Sequence, residues 1–405
     1  MGKDSKKSNR EESIEYGPET IEQRMRERVR DFIELIVEEE LEHALGAPAW
    51  ERVGAGRRGY RHGHRNRQLT TSLGPTTFRL PRARLQQGEG RSSEWHSEMF
   101  GRYERRTERV NEGILGVYLS GANSRRIKGA LAPRLRGGPL SKDAVSRLVA
   151  RLKEEFEQWQ ERDLAKDDIR YLVFDGWYPK VRIGRERARV PVLVTLGVRG
   201  DGERIVLDIR VAGQETAAAW ADVVDSLLKR HVGKPRVALI DGNPGLHEAL
   251  RAQWPKLPIQ RCTAHKLRNL QAKVPKGLRE EVAEDYRRMV YAEDRAAVEQ
   301  QRRAFRAKWQ KKCAAVITSL DEAGEELFTF LDFPQSQWRA LRTTNALERI
   351  NEEFRRRTKT QGMLPSEDAV VLLLFGLLRS GQIRLRRLDG WEDLAGTRTV
   401  MAEAA

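Results

Sequence analysis

The sequence predicts an α/β fold: a mixed sheet flanked by helices, preceded by a helical N-terminal region and interrupted late by an all-α stretch. Three observations predict it. The stretch Tyr171 to Asp175, YLVFD, is apolar, β-prone and ends on a single carboxylate. From Arg170 to Cys262, strand-like segments come first and then alternate with helix-like ones. From His265 to about Pro334 the chain is charged, helical in period and free of strand signals.

At 405 residues the chain is long enough for two or three domains. Lys and Arg number 75 against 59 Asp and Glu, giving a net charge of +16 and a pI near 10.0. That imbalance points to a polyanionic partner, and the arginine fork suits phosphate. Two cysteines, Cys262 and Cys313, exclude a disulfide framework and a Cys-rich zinc module, as expected in a reducing cytoplasm. The first residues carry no apolar core of a signal peptide. The longest apolar run, Ala369 to Leu378, is broken by Gly376 and too short to span a bilayer.

Taken in order, residues 1–17 read as a polar, disordered tail. Apolar residues from Ile21 to Leu45 recur at helical spacing, and Gly46 with Pro48 is a stop. The basic segment Arg57 to Arg67, RRGYRHGHRNR, reads as a glycine-broken loop that tracks a phosphate backbone through Arg57, Arg58, Arg61, Arg65 and Arg67, with a merely solvated basic loop as the alternative. Short β pieces are expected at Leu69–Leu73 and Thr77–Leu80, and a polar linker at Gln86–Ser93. Residues 18–95 thus form a helical and basic N-terminal region. Residues 96–163 read as a helix-turn-helix-like DNA-binding region, with Arg125, Arg126, Lys142 and Arg147 as contacts and Ser141 as a helix cap; a plain helical hairpin is the alternative. An α/β core occupies 168–265, a helical insertion 266–337, the last part of the core 338–385, and a tail 386–405.

Asp175 and Asp241 both close predicted strands of one sheet, at the edge where open α/β sheets bind ligands. Two adjacent carboxylates repel unless a divalent cation lies between them, and Mg²⁺ or Mn²⁺ suits oxygen ligands. A third carboxylate on a nearby helix would serve a second ion, and two ions about 4 Å apart suit phosphoryl transfer. Each acid also has a plainer reading. Asp175-Gly176 and Asp241-Gly242 suit turns, and Asn345-x-x-Glu348 suits a capping box. Spacing leaves Glu348, Glu352 and Glu353 all open as the third acid. Arg268, Asn269, Arg355, Arg356, Arg357 and Lys359 are candidate phosphate contacts, with a solvated helix face as the alternative for the last four. Trp309 and Trp338 read as core rather than as base-stacking residues.

The segment Arg342 to Lys359, RTTNALERINEEFRRRTK, resembles a signature of bacterial insertion-sequence transposases of the Mutator type. GAPAWERVGAGRRGYRHGHRNR, SGANSRRIKGAL with LSKDAVSRL, YLVFDGWYPKVR, DGNPGLHEAL and QRCTAHKLRN resemble further blocks of that family in the same order, so the resemblance spans residues 20–385. It implies an RNase H-like core with a DDE triad at Asp175, Asp241 and Glu348, and two Mg²⁺ (or Mn²⁺) ions per site. It also implies a Cys-x-x-His element at Cys262 and His265 in the pocket, with a packing role as the alternative for His265; Thr263 and Ala264 between them lack the bulky apolar residue expected there. The implied activity is DNA strand cleavage and strand transfer on double-stranded DNA, by a homodimer or larger assembly on the bacterial nucleoid. A metal-dependent nuclease without strand transfer and a domesticated DNA-binding regulator remain as alternatives.

Overall fold

The computed structural model describes residues 18–48, 56–87, 91–119, 127, 129–131, 135, 140–183, 186–360, 366–381 and 383–394. They belong to two units, one of residues 1–118 and 122–148, the other of 119–121 and 149–405.

In the first unit, helix α1 (Pro18–Leu45) ends where Gly46 takes φ +67, as its sequence predicts. Its second half buries Val37, Leu41 and Leu45 on a three-stranded antiparallel sheet of β1 (Gly59–Thr71), β2 (Gly74–Gln87) and β3 (Arg91–Glu94). Phe78, Leu80 and Phe100 complete that core. The basic loop expected at Arg57–Arg67 is therefore mostly strand β1. The β partner is supplied by the apolar face of β2, and Gly63, at φ +111, lies at the register shift between Arg61 and His64. The linker expected at Gln86–Ser93 is likewise strand at its described ends, since Gln87 pairs with Arg91 and Gln86 with Ser92. Helices α2 (Glu108–Leu119) and α3 (Lys142–Glu161) follow, and Ser141 Oγ accepts from Ala144 N at 3.2 Å, capping α3 as expected. Most of the turn between these helices, with Arg125 and Arg126, lies outside the described residues.

The second unit is built on a five-stranded sheet. Its strands are β4 (Ile169–Trp177), β7 (Val192–Arg199), β8 (Arg204–Val211), β9 (Val237–Ile240) and β10 (Ile259–Arg261), in the order β10-β9-β4-β7-β8. Only β7 runs against its neighbours. A separate small hairpin, β5 (Lys180–Ile183) with β6 (Glu186–Arg189), intervenes. Strand β4 is apolar almost throughout because both its faces are covered. Leu172 and Phe174 pack with Trp220 of α4 (Ala217–Lys229) and Leu246 of α5 (Pro244–Gln253). The alternate residues Tyr171 and Trp177 face the other way, against Phe333 and against Phe354 of the helix Asn345–Thr360.

The expected helical stretch after β10 is present as α6 (Thr263–Ala272), α7 (Arg279–Val290), α8 (Arg295–Lys312), α9 (Ala314–Ala323) and α10 (Gln335–Leu341), with short 3₁₀ turns between. Trp309 is fully buried and Trp338 nearly so, so both are core. The helix Asn345–Thr360 is α11, and α12 (Asp368–Arg379) carries the late apolar run. Among the described residues no helix is long and apolar enough to cross a membrane.

One buried hydrogen bond ties the central strand to the helical stretch: Tyr171 Oη donates to Gln337 Oε1 at 2.6 Å. Tyr171→Phe leaves that buried acceptor unpaired and costs about 1–3 kcal/mol, measurable by denaturant unfolding; an unchanged midpoint contradicts the assignment.

Candidate active site

The carboxyl ends of β4, β9 and β10 bring the expected residues into one row. In the parallel pairing of β4 with β9, Val173 is opposite Leu239, so the same register sets Asp175 beside Asp241. β10 continues it: Arg261 is opposite Ile240, and Cys262 N donates to Ile240 O at 2.7 Å. The sheet reverses its direction of growth between β4 and β9, the switch point at which open sheets bind ligands. Gly242, at φ +104, follows Asp241, whose Oδ1 accepts from Asn243 N at 3.0 Å. The Asp-Gly turn reading is thus satisfied together with the placement in the row, not instead of it.

Helix α11 crosses this row. Its inner face is Leu347, Ile350 and Phe354, with Asn351 the one polar side chain among them. Asn351 Nδ2 donates to Asp175 Oδ2 at 2.6 Å, while Asn351 Oδ1 is buried without a partner. Glu348, one turn earlier, is partly buried; its Oε1 is 2.8 Å from Arg268 Nη2 and 3.9 Å from His265 Nε2. Of the other acids considered on α11, Glu352 is exposed and Glu353 pairs along the surface with Arg356.

Burial pushes the Asp175 carboxyl up to about 7. Asp241, Glu348 and Glu215 push it the same way, and His265 opposes them. His265 is raised to about 9, first by the Cys262 sulfur and against the pull of its own burial; Asp175 and Asp241 add to the rise. The sulfur acts by proximity, because His265 Nδ1 is buried with no aligned hydrogen-bond partner. Burial raises the Cys262 thiol, but His265 and Thr344 outweigh it and hold the thiol below its ordinary range. Thr344 N and Oγ1 lie 3.5 and 3.4 Å from the sulfur.

Among the described residues no three His, Cys, Asp or Glu side chains stand close enough to enclose an ion. The oxygen donors around Asp175 are of the kind a hard divalent cation takes, though in this conformation they do not close on one. Carboxylates crowd a buried Asp175 with one imidazole to offset them, and an orphaned amide oxygen lies beside it. In this conformation Glu348 is held by Arg268, which is thereby engaged with an acid rather than free for phosphate.

The remaining expected contacts fall as follows. Arg61 is bound to Glu38 and lies 3.7 Å from Glu42, and Arg67 donates to Gly101 O and Glu104 O, so both brace the first unit. Arg57, Arg58, Arg65, Lys142, Arg147 and Asn269 are exposed, as are Arg355 and Arg356. The side chains of Arg357 and Lys359 lie outside the described set.

The chain matches the family described as Transposase, Mutator family, over residues 3–384. It belongs to that family. A transposase for insertion sequence element ISRM5 of Rhizobium meliloti (strain 1021) is 30% identical over 353 residues, covering 87% of this chain and 86% of that protein. A transposase for IS406 of Burkholderia multivorans is 33% identical over 338 residues, covering 82% and 84%. A chain of the Drosophila P element transposase strand transfer complex has a TM-score of 0.30 and 9% identity over 70% of this chain and 81% of that one, a likeness too low to carry an argument.

Two residues of the Mutator chain's site escape sequence reasoning. Asn351 has a signal, a lone amide on the apolar stripe of α11. Glu215 has none. It lies between β8 and α4, takes hydrogen bonds from Tyr178 Oη and from Trp220 Nε1 at 3.1 Å, and reaches Asp175 only through the fold. It also fixes Gly176, where a Cβ would come within 2.7 Å of its carboxylate.

The raised Asp175 carboxyl fixes the sign of a pH effect. A carboxyl moved from 3.8 to about 7 binds more protons folded than unfolded between those values, so stability falls as pH rises through that window. Melting temperature without divalent ions should decrease from pH 5 to pH 7, and Mg²⁺ should restore more of it at pH 7 than at pH 5. A rise over that range, or equal Mg²⁺ effects, contradicts the reading.

Proposed function

We propose that this chain is a DNA transposase of the DDE type, acting on the ends of an insertion sequence by metal-dependent strand cleavage and strand transfer. The observation that carries the proposal is the row of Asp175 and Asp241 on adjacent parallel strands, with Glu348 of α11 near enough to raise Asp175. A sheet ordered β10-β9-β4-β7-β8 with only β7 reversed supports an RNase H-like core, in which the helices after β10 form an insertion. Family membership and relatives named as insertion-sequence transposases support the activity.

Asp175, Asp241 and Glu348 would hold two Mg²⁺ or Mn²⁺ ions, which activate a hydroxyl nucleophile and stabilise the leaving oxygen when bound. Asn351 orients Asp175 by its amide, so that the carboxylate presents its second oxygen to the site. Arg268 holds Glu348 and would give it up to a competing divalent ion. His265, charged at neutral pH, faces the same carboxylates and is suited to a phosphodiester oxygen. In-line displacement by water cuts the strand, and the freed 3′-hydroxyl then attacks target DNA. No covalent bond to the protein forms. The exposed cations of the first unit, with Lys142 and Arg147 on α3, would bind the inverted repeats in a helix-turn-helix-like region. Joining two ends calls for a dimer or larger assembly.

Strand transfer of a pre-cut end in Mg²⁺ tests the reading. Asp241→Asn and Glu348→Gln should reduce it to background with the fold retained, while Glu352→Gln should keep it within a few-fold of wild type. Hydrolysis without any joined product would identify a nuclease. Full activity in Asp241→Asn would overturn the site, and loss confined to Glu352→Gln would move the third acid.

A further inference from the structure

A groove of about 660 Å³ lies in the first unit, far along the chain from the carboxylates. It runs between β1 (Arg65 to Gln68) and the loop from His96 to Arg105. Arg65, Arg102 and Arg105 are exposed on its rim and have no acidic partner among the described residues. That sets them apart from Arg61, Arg199, Arg261 and Arg379, each of which meets a carboxylate. Glu98 and Glu104 also line the groove.

The loop is built rather than loose. Arg67 reaches across and donates to Gly101 O and, at 3.1 Å, to Glu104 O. Thr70 N donates to Arg105 O at 2.9 Å, and Phe100 seals the base against Phe78. At the tip Tyr103 is 84% exposed and adopts φ +69, a left-handed conformation that a tyrosine rarely takes. Backbone strain of this kind collects where a surface is used. Arg102 lies over its face at 5.6 Å. The positive field continues inward: burial lowers Arg106, and the neighbouring Arg147 and Arg105 lower it further. Arg147 of α3, expected from sequence to contact DNA, therefore lies near Arg106.

We propose that this groove is a duplex-DNA contact, with Arg65, Arg102 and Arg105 on backbone phosphates and the Tyr103 ring set between them against the sugars. It rests on the DNA-transposase reading and adds a binding surface on the β1 hairpin, separate from the helices α2 and α3. Phosphate contacts of this kind act on any sequence and release counterions.

The test uses the full chain in EDTA and a fluorescein-labelled duplex of mixed sequence, with anisotropy read over a salt series. Each arginine that neutralises a phosphate contributes about 0.9 to the slope of log K against log salt, so Arg65→Ala/Arg102→Ala/Arg105→Ala should lower the slope by about 2.7. Tyr103→Gly is the second variant. It suits the positive φ, so its melting temperature should hold or rise while its affinity falls several-fold. A wild-type chain that binds no duplex overturns the DNA-transposase reading itself. A wild type that binds, with both variants matching its slope and affinity, overturns the groove alone. Binding to single-stranded RNA without binding to duplex counts with the first outcome and overturns the DNA-transposase reading.

Discussion

The second unit depends on keeping one carboxylate where a carboxylate is least welcome. Asp175 lies buried near the carboxyl end of the central strand β4, with Asp241 beside it in register and Glu348 and Glu215 nearby. Burying a charge costs free energy unless something opposite meets it. Here an amide and one imidazole meet it, and that is too little: the carboxyl is driven up to about 7. The fold supplies the apolar frame that makes this tolerable. Leu172 and Phe174 on one face, and Tyr171 and Trp177 on the other, fix β4 from both sides. The strand cannot slip to relieve its last carboxylate.

The surroundings of that row follow from the same constraint. Glycine at 176 leaves room for Glu215, and glycine at 242 takes a left-handed turn against Arg261, which in turn meets Glu322 of α9. Lys266 of α6 meets the same Glu322. Cations just outside the row are thus neutralised by the helical stretch. His265 and the exposed Arg268 instead lie beside Glu348. The long helical stretch between β10 and α11 separates the basic groups that are structural from those left to the site.

Much of this is legible in the residues. The β texture of YLVFD, the strand ending at Asp241 and the helical stretch after His265 all follow from local pattern, because burial on both faces and helical period leave direct marks. Choosing Glu348 over Glu352 and Glu353 is beyond periodicity and rests on resemblance. The structure adds that Glu352 is exposed and Glu353 is paired on the surface. Arg57 to Arg67 reads as a loop because its polar residues mask a strand whose apolar support comes from β2 and α1. Arg61 and Arg67 read as phosphate contacts for a related reason, since their partners Glu38 and Gly101 are close only in the fold. Glu215 leaves no mark at all.

The central claim is that the ends of β4 and β9 and the first turns of α11 converge on a divalent ion. Replacing Mg²⁺ by Fe²⁺ and generating hydroxyl radicals at the bound ion tests it directly. Backbone cuts are predicted near Asp175, Asp241 and Glu348, suppressed by excess Mg²⁺ and absent in Asp241→Asn. Cuts confined to other segments, or cuts that Mg²⁺ does not suppress, would contradict the account.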